Sequence, residues 1–175
     1  IIYFISKLSY EGEATISKPK ITDVMEILKD KRFLIIYFLM FCVFFVFSGV
    51  LNILPFRVKE ISSNVSEFQI SLLYLGYGMG ILISLNSSKI VKYFKNELNT
   101  ILFGLIFFLF ITIFLIQENI IFIFLLIFLF CVGMFTVHTV STGLANSMKE
   151  SQKSLTSGMY LSFYYLGGAL GSFLP

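Results

Sequence analysis

Five stretches are long and apolar enough to cross a membrane, and they constrain this chain more than anything else in it. A hydrocarbon core takes roughly 20 apolar residues per helix, and such runs occupy about 33–56, 67–86, 99–116, 120–146 and 154–174. Lipid offers no partner to backbone N–H and C=O groups, so each run is expected to be a helix that satisfies its own backbone. Composition agrees, with 57% hydrophobic and 13% charged residues and a mean hydropathy of +0.90, far from the balance of a soluble domain. The expected fold is an all-α, multi-pass integral membrane bundle surrounded by a lipid bilayer.

The chain opens on IIYFI without a Met and stops at Pro175 while the fifth run is still apolar, so it reads as a piece of a longer protein. Residues 1–32 divide into the end of a preceding span over 1–5 and a polar loop rich in Lys, Asp and Glu; the bundle follows over 33–175. Within the loop, Ile21, Val24, Met25 and Leu28 recur at helical spacing over 21–31. Such a helix either lies along the membrane interface or serves as a solvated linker.

Basic residues set the orientation, because Lys and Arg flanking spans are retained on the cytoplasmic side. With the opening loop cytoplasmic, eleven of the 13 Lys and Arg fall on that side, and only Arg57 and Lys59 fall outside. The net charge of +3 therefore reflects sidedness, and nothing in it points to nucleic acid.

Polar side chains inside the spans are few, which makes each informative. The first span carries Phe41, Phe45, Ser48 and Asn52 on one stripe and is expected to end at Pro55. That stripe avoids lipid, facing either a solute path or a hydrogen-bonding neighbour. In the second, Gly76, Gly80 and Ser84 recur every four residues, a spacing that lets helices approach closely in lipid. Gly76, Gly78 and Gly80 do not make a dinucleotide fingerprint, which needs a soluble strand-turn-helix unit around it. The third run is apolar all round and is expected to be a wall.

The fourth run differs. Cys131, Met134, His138, Ser141, Thr142 and Ala145 share one broad face, while Gly133, Thr136, Thr139 and Gly143 fall on the other. Polar groups on both sides imply a helix surrounded by protein and water. His138 is the one titratable side chain well inside any span; it either takes up a proton near neutral pH or stays neutral against a Ser or Thr partner. In the fifth run Ser157, Tyr160, Tyr164, Gly168 and Gly171 form an inward stripe opposite Leu166, Leu170 and Phe173. Tyr160 and Tyr164 suit either an amphipathic ligand or ordinary helix packing. Cys42 and Cys131 sit mid-span in different helices and read as small packing residues.

Enzyme chemistry finds little support. One histidine forbids a paired-His metal site, no carboxylate lies inside a span, and Ser141 near His138 has no third group. No cofactor is implied.

FxVHTVST (Phe135 to Thr142) followed by SGMYLSFYYLGG (Ser157 to Gly168) resembles the tenth and eleventh helices of the bacterial efflux-permease branch of the major facilitator superfamily. The resemblance implies that 33–175 holds helices seven to eleven, truncated in the last, and that a missing N-terminal half supplies the rest. One departure stands out: the loop SKIVKYFKN keeps Lys89, Lys92 and Lys95 but lacks the Asp and second Gly of the family's usual cytoplasmic latch.

The expected function is that of a secondary active transporter in the bacterial inner membrane, moving a small-molecule substrate by alternating access. The resemblance implies proton-coupled efflux. Asn52, Ser48, His138, Thr142, Ser141, Tyr160 and Tyr164 are the candidates for the substrate cavity, and Gly76, Gly80, Ser84, Gly168 and Gly171 for helix packing. The alternative is a non-transporting membrane scaffold whose small-residue stripes dock partner helices.

Overall fold

A computed structural model describes residues 20–174. The expected end of a preceding span over 1–5, and the loop up to residue 19, lie outside the described residues. Among the described residues the secondary structure is entirely helical. We number the helices α1 (Ile21–Lys29), α2 (Lys31–Ile61), α3 (Glu67–Tyr93), α4 (Glu97–Phe114), α5 (Ile120–Met148) and α6 (Lys153–Phe173). Within α3 the stretch Leu72–Tyr77 is wound as a 3₁₀ helix between two α-helical parts.

Local chemistry explains the starts. The Asp30 side chain accepts from Arg32 N at 2.9 Å, Ser66 and Gln69 form a reciprocal capping box, and Asn96 accepts from Asn99 N at 2.8 Å. Asn119 accepts from Ile121 N at 3.0 Å. Each of these supplies a partner for amides that a helix start leaves orphaned. Lys95, at φ 74°, turns the chain in the left-handed region between α3 and α4.

α2, α3, α4 and α5 are each long and apolar enough to cross a membrane. At 1.5 Å per residue the 31 residues of α2 and the 29 of α5 exceed the roughly 30 Å of a hydrocarbon core. Five spans were expected, and α6 is the one not among these four: its 21 residues suffice in length, but Ser, Thr, Tyr and Gly dilute its apolar run.

Two boundaries need correction. α2 does not end at Pro55; it continues to Ile61, with Pro55 inside it. Proline removes one backbone donor, and a membrane helix tolerates that where neighbouring groups compensate. The loop helix stops at Lys29, and the residue that buries is Ile27, beside half-buried Val24 and Leu28, while Ile21 and Met25 face outward.

α5 is central and touches every other long helix, whereas α4 packs chiefly on α5 and α6 chiefly on α2. The α2–α6 seam is paved with glycine. A methyl group at Gly167 would overlap the Phe41 carbonyl oxygen, and one at Gly171 would overlap that of Phe45, so the two backbones touch. It is the backbone of Phe41 and Phe45 that meets α6; their rings stack on each other, and Phe41 also on exposed Phe38. α4 is less of an indifferent wall than its composition suggests: Thr100, Ile101, Gly104, Phe108 and Ile111 are buried.

Short turns join successive helices, so basic residues collect at one end of the bundle. Lys149, in the α5–α6 turn, pairs with Glu26 of α1 at 2.9 Å there. At the other end Lys59 pairs with Glu67, and Arg57 donates to the Ile116 carbonyl at 2.6 Å.

Candidate functional site

A cavity of about 630 Å³ opens between α3 and α5. Tyr77, Gly80, Ile81, Ser84 and Leu85 line it from α3, and Phe135, His138, Thr139, Thr142, Gly143 and Asn146 from α5. Its position follows from small residues: Gly76 lies against Cys131 and Ile127 of α5, and Gly80 against the Phe135 ring, which lets the helices meet at one level and part below it. Ser84, expected to continue that packing stripe, is instead exposed on the cavity wall.

His138 is held from behind. The Tyr160 hydroxyl lies 3.0 Å from His138 Nδ1 and 3.1 Å from the His138 carbonyl oxygen. Thr142 Oγ1 donates to the same carbonyl at 2.8 Å. The partner of the imidazole is therefore a tyrosine on α6 and not the expected Ser or Thr. Tyr164 flanks the imidazole with ring centroids 4.8 Å apart and stacks on Phe44 of α2 at 3.8 Å. One ring nitrogen of His138 is thus engaged, and the other has no protein partner among the described residues.

A second polar clasp joins α5 to α6 one helical stretch nearer the turn. Asn146 Oδ1 accepts from Ser157 Oγ at 2.7 Å and from Thr156 Oγ1 at 3.2 Å. The carbonyl of Thr156 in turn accepts from the buried Tyr37 hydroxyl of α2 at 3.0 Å. Asn146, Thr156, Tyr37 and the cavity residues Tyr77 and Phe135 were not read from the sequence as site residues. Asn146 sits where a span gives way to a polar turn, and a polar residue there carries no signal of its own.

The structure divides the expected candidates into three groups. His138 and Thr142 line the cavity, together with Thr139 and Gly143, which helical projection had assigned to the opposite face. Tyr160 is buried behind His138, Tyr164 stands beside it, and neither lines the cavity. Ser141 is fully buried inside the bundle, its hydroxyl without a partner among the described residues.

Asn52 and Ser48 lie elsewhere. The Asn52 amide donates to the Ser172 carbonyl at 2.9 Å, and the Ser48 and Ser172 hydroxyls are hydrogen-bonded to each other. Asn52 and Ser172 border a separate cavity of about 330 Å³ with Ile53 and Phe56. The neighbour-bonding reading of that stripe is the one the geometry provides. Gly168 and Gly171 are buried against Phe44 and Phe45 of α2. Cys131 packs beneath Gly76, whereas Cys42 is exposed on α2 and does not act as a packing residue among the described residues.

No group of His, Cys, Asp and Glu among the described residues could hold a metal ion. Membrane-length helices around a cavity of mixed polar and apolar wall define a multi-pass protein of the transporter type. The family model for the Major Facilitator Superfamily matches residues 5–172, and the chain belongs to that family. No curated protein and no solved structure matches it.

Proposed function

We propose that the chain forms the C-terminal half of a secondary active transporter, with α2 to α6 as helices seven to eleven. It moves a small solute across a bacterial inner membrane by rocking against a second, N-terminal bundle. The observation that carries this reading is the cavity around His138, because polar side chains at that depth in apolar helices are costly unless they meet water, solute or protein. Exposed Asn52, Ser162 and Ser172 on otherwise apolar helices add support, since a second bundle would cover them.

Proton-coupled efflux is the transport mode we propose, with the coupling carboxylate in the second bundle and His138 as the other candidate, because Glu60, Glu67 and Glu97 sit at the ends of their helices and no Asp or Glu lies mid-span. The scaffold alternative is weaker. It needs small-residue stripes free for partner helices, yet Gly76, Gly80, Gly168 and Gly171 are all taken up by packing within this bundle.

The test is transport into vesicles by the full-length protein at matched expression. His138→Ala is expected to lower the rate severalfold, while Phe107→Ala, on α4 and away from the cavity, leaves it near wild type. Equal effects would remove His138 from the transport path.

A further inference from the structure

Resting on the cavity reading above, we infer that the α3–α5 cavity takes an uncharged aromatic solute bearing a hydrogen-bonding group. Three features of its wall lead there. First, none of its lining residues is Asp, Glu, Lys or Arg. A charged ligand at membrane depth loses its water and finds no countercharge on this wall, whereas a neutral one loses much less. Lys89 and Lys149 are the nearest cations along the two helices; both lie past the lining residues, and Lys149 is already paired with Glu26.

Second, beside the aliphatic Ile81 and Leu85 the wall carries an aromatic pair. Tyr77 and Phe135 meet with centroids 5.9 Å apart and rings inclined at 65°, and Phe47 closes the group from behind at 5.5 Å from Tyr77. An inclined pair braced from behind presents one ring face and one ring edge in a fixed geometry. That favours a flat ring over a flexible alkyl chain.

Third, the polar groups are half used. Asn146 commits one end of its amide to Ser157 and Thr156, and His138 commits one ring nitrogen to Tyr160. The other end of each has no protein partner among the described residues, and both residues line the cavity. These side chains are oriented from outside the cavity, so a ligand meets them already fixed and gives up less entropy on binding. The volume of about 630 Å³ lies within the range of small-molecule sites and accommodates a two-ring solute.

Three isosteric probes separate the possibilities: naphthamide (neutral), naphthoate (anionic) and naphthamidine (cationic). Binding of each to the full-length protein in nanodiscs is measured by saturation-transfer NMR and calorimetry, and aqueous access to the cavity is read in parallel by labelling Thr139→Cys in a background in which exposed Cys42 is replaced by Ser. The expected result is saturable naphthamide binding, at least about tenfold tighter than either ion. Tyr77→Ala and Asn146→Ala are expected to weaken it severalfold, with Phe107→Ala as the folding control. Tighter binding of an ion, or naphthamide binding indifferent to both variants, overturns the proposal. If no probe binds while position 139 is labelled, the substrate class is wrong and the cavity reading survives; if position 139 is also closed to the label, both fall.

Discussion

Helix α6 meets its two neighbours in different ways. Against α2 it brings Gly167 and Gly171 onto the backbone at Phe41 and Phe45, with Gly168 under the Phe44 ring, a close contact with no slack that carries hydrogen bonds only towards its two ends, Tyr37 to Thr156 and Asn52 to Ser172. Against α5 it offers hydroxyls: Tyr160 reaches His138, and Thr156 and Ser157 reach Asn146. In lipid, where apolar burial no longer drives helices together, close packing and hydrogen bonds are the two available sources of association. The first dominates between α2 and α6, where the backbones themselves touch. The second is directional and made at a few points.

Crowding the close-packed seam should have the largest consequence. Gly167→Val places methyl groups where the Phe41 backbone already stands, and the helices must separate. We expect a loss of about 3 kcal/mol, at the upper end for overpacking, read as a lowered midpoint of unfolding in detergent. Retention of wild-type stability would show that the seam has slack after all.

Weakening the polar seam should cost less. Tyr160→Phe removes the hydroxyl behind His138 and keeps the ring, with an expected loss of about 1 kcal/mol. It should also release the imidazole, visible as a change in the His138 ring resonances by NMR. A double-mutant cycle of Asn146→Ala with Ser157→Ala should give a coupling of about 0.6 kcal/mol, the average for hydrogen bonds between membrane helices. A coupling of several kcal/mol would make this seam as stiff as the other and end the contrast.

The smallest effect lies outside the bilayer. Hydrogen bonds from the Arg32 side chain and backbone hold the Asp30 carboxyl below its ordinary value of 3.8. A depressed folded-state value means that the cap contributes fully above 3.8 and is lost as pH falls through the lower folded value. Amide exchange at Arg32 should therefore be unchanged between pH 7 and 5 and accelerate, relative to the intrinsic rate, only in stronger acid. Acceleration already near pH 5 would mean that Arg32 does not hold Asp30.

What the sequence could disclose follows from which interactions are local. Spans were legible because hydropathy is a property of a window, and α5 runs Ile120–Met148 against an expected 120–146. Pro55 misled because a helix-ending rule learned in water applies less strictly where backbone groups have no solvent to turn to. His138 was legible as the one imidazole within a span. Its tyrosine partner, 22 positions away, was not, because nothing local links the two. Projection could not tell which side of α5 faces the cavity either, since Thr139 and Thr142 put hydroxyls on both. Asn52 fell outside the main cavity for the same reason: its partner is 120 residues distant, on a helix whose register is set by glycines.

The dilution of α6 by small and hydroxylated residues bears on how the protein is made. Insertion of a nascent helix from the translocon is favoured by its own apolar side chains, and α6 offers fewer than the four helices before it. Its place in the bilayer depends on the glycine-lined surface it shares with α2, which by then has already left the ribosome. Assembly therefore runs backwards along the chain: the last helix described is admitted by the first long one.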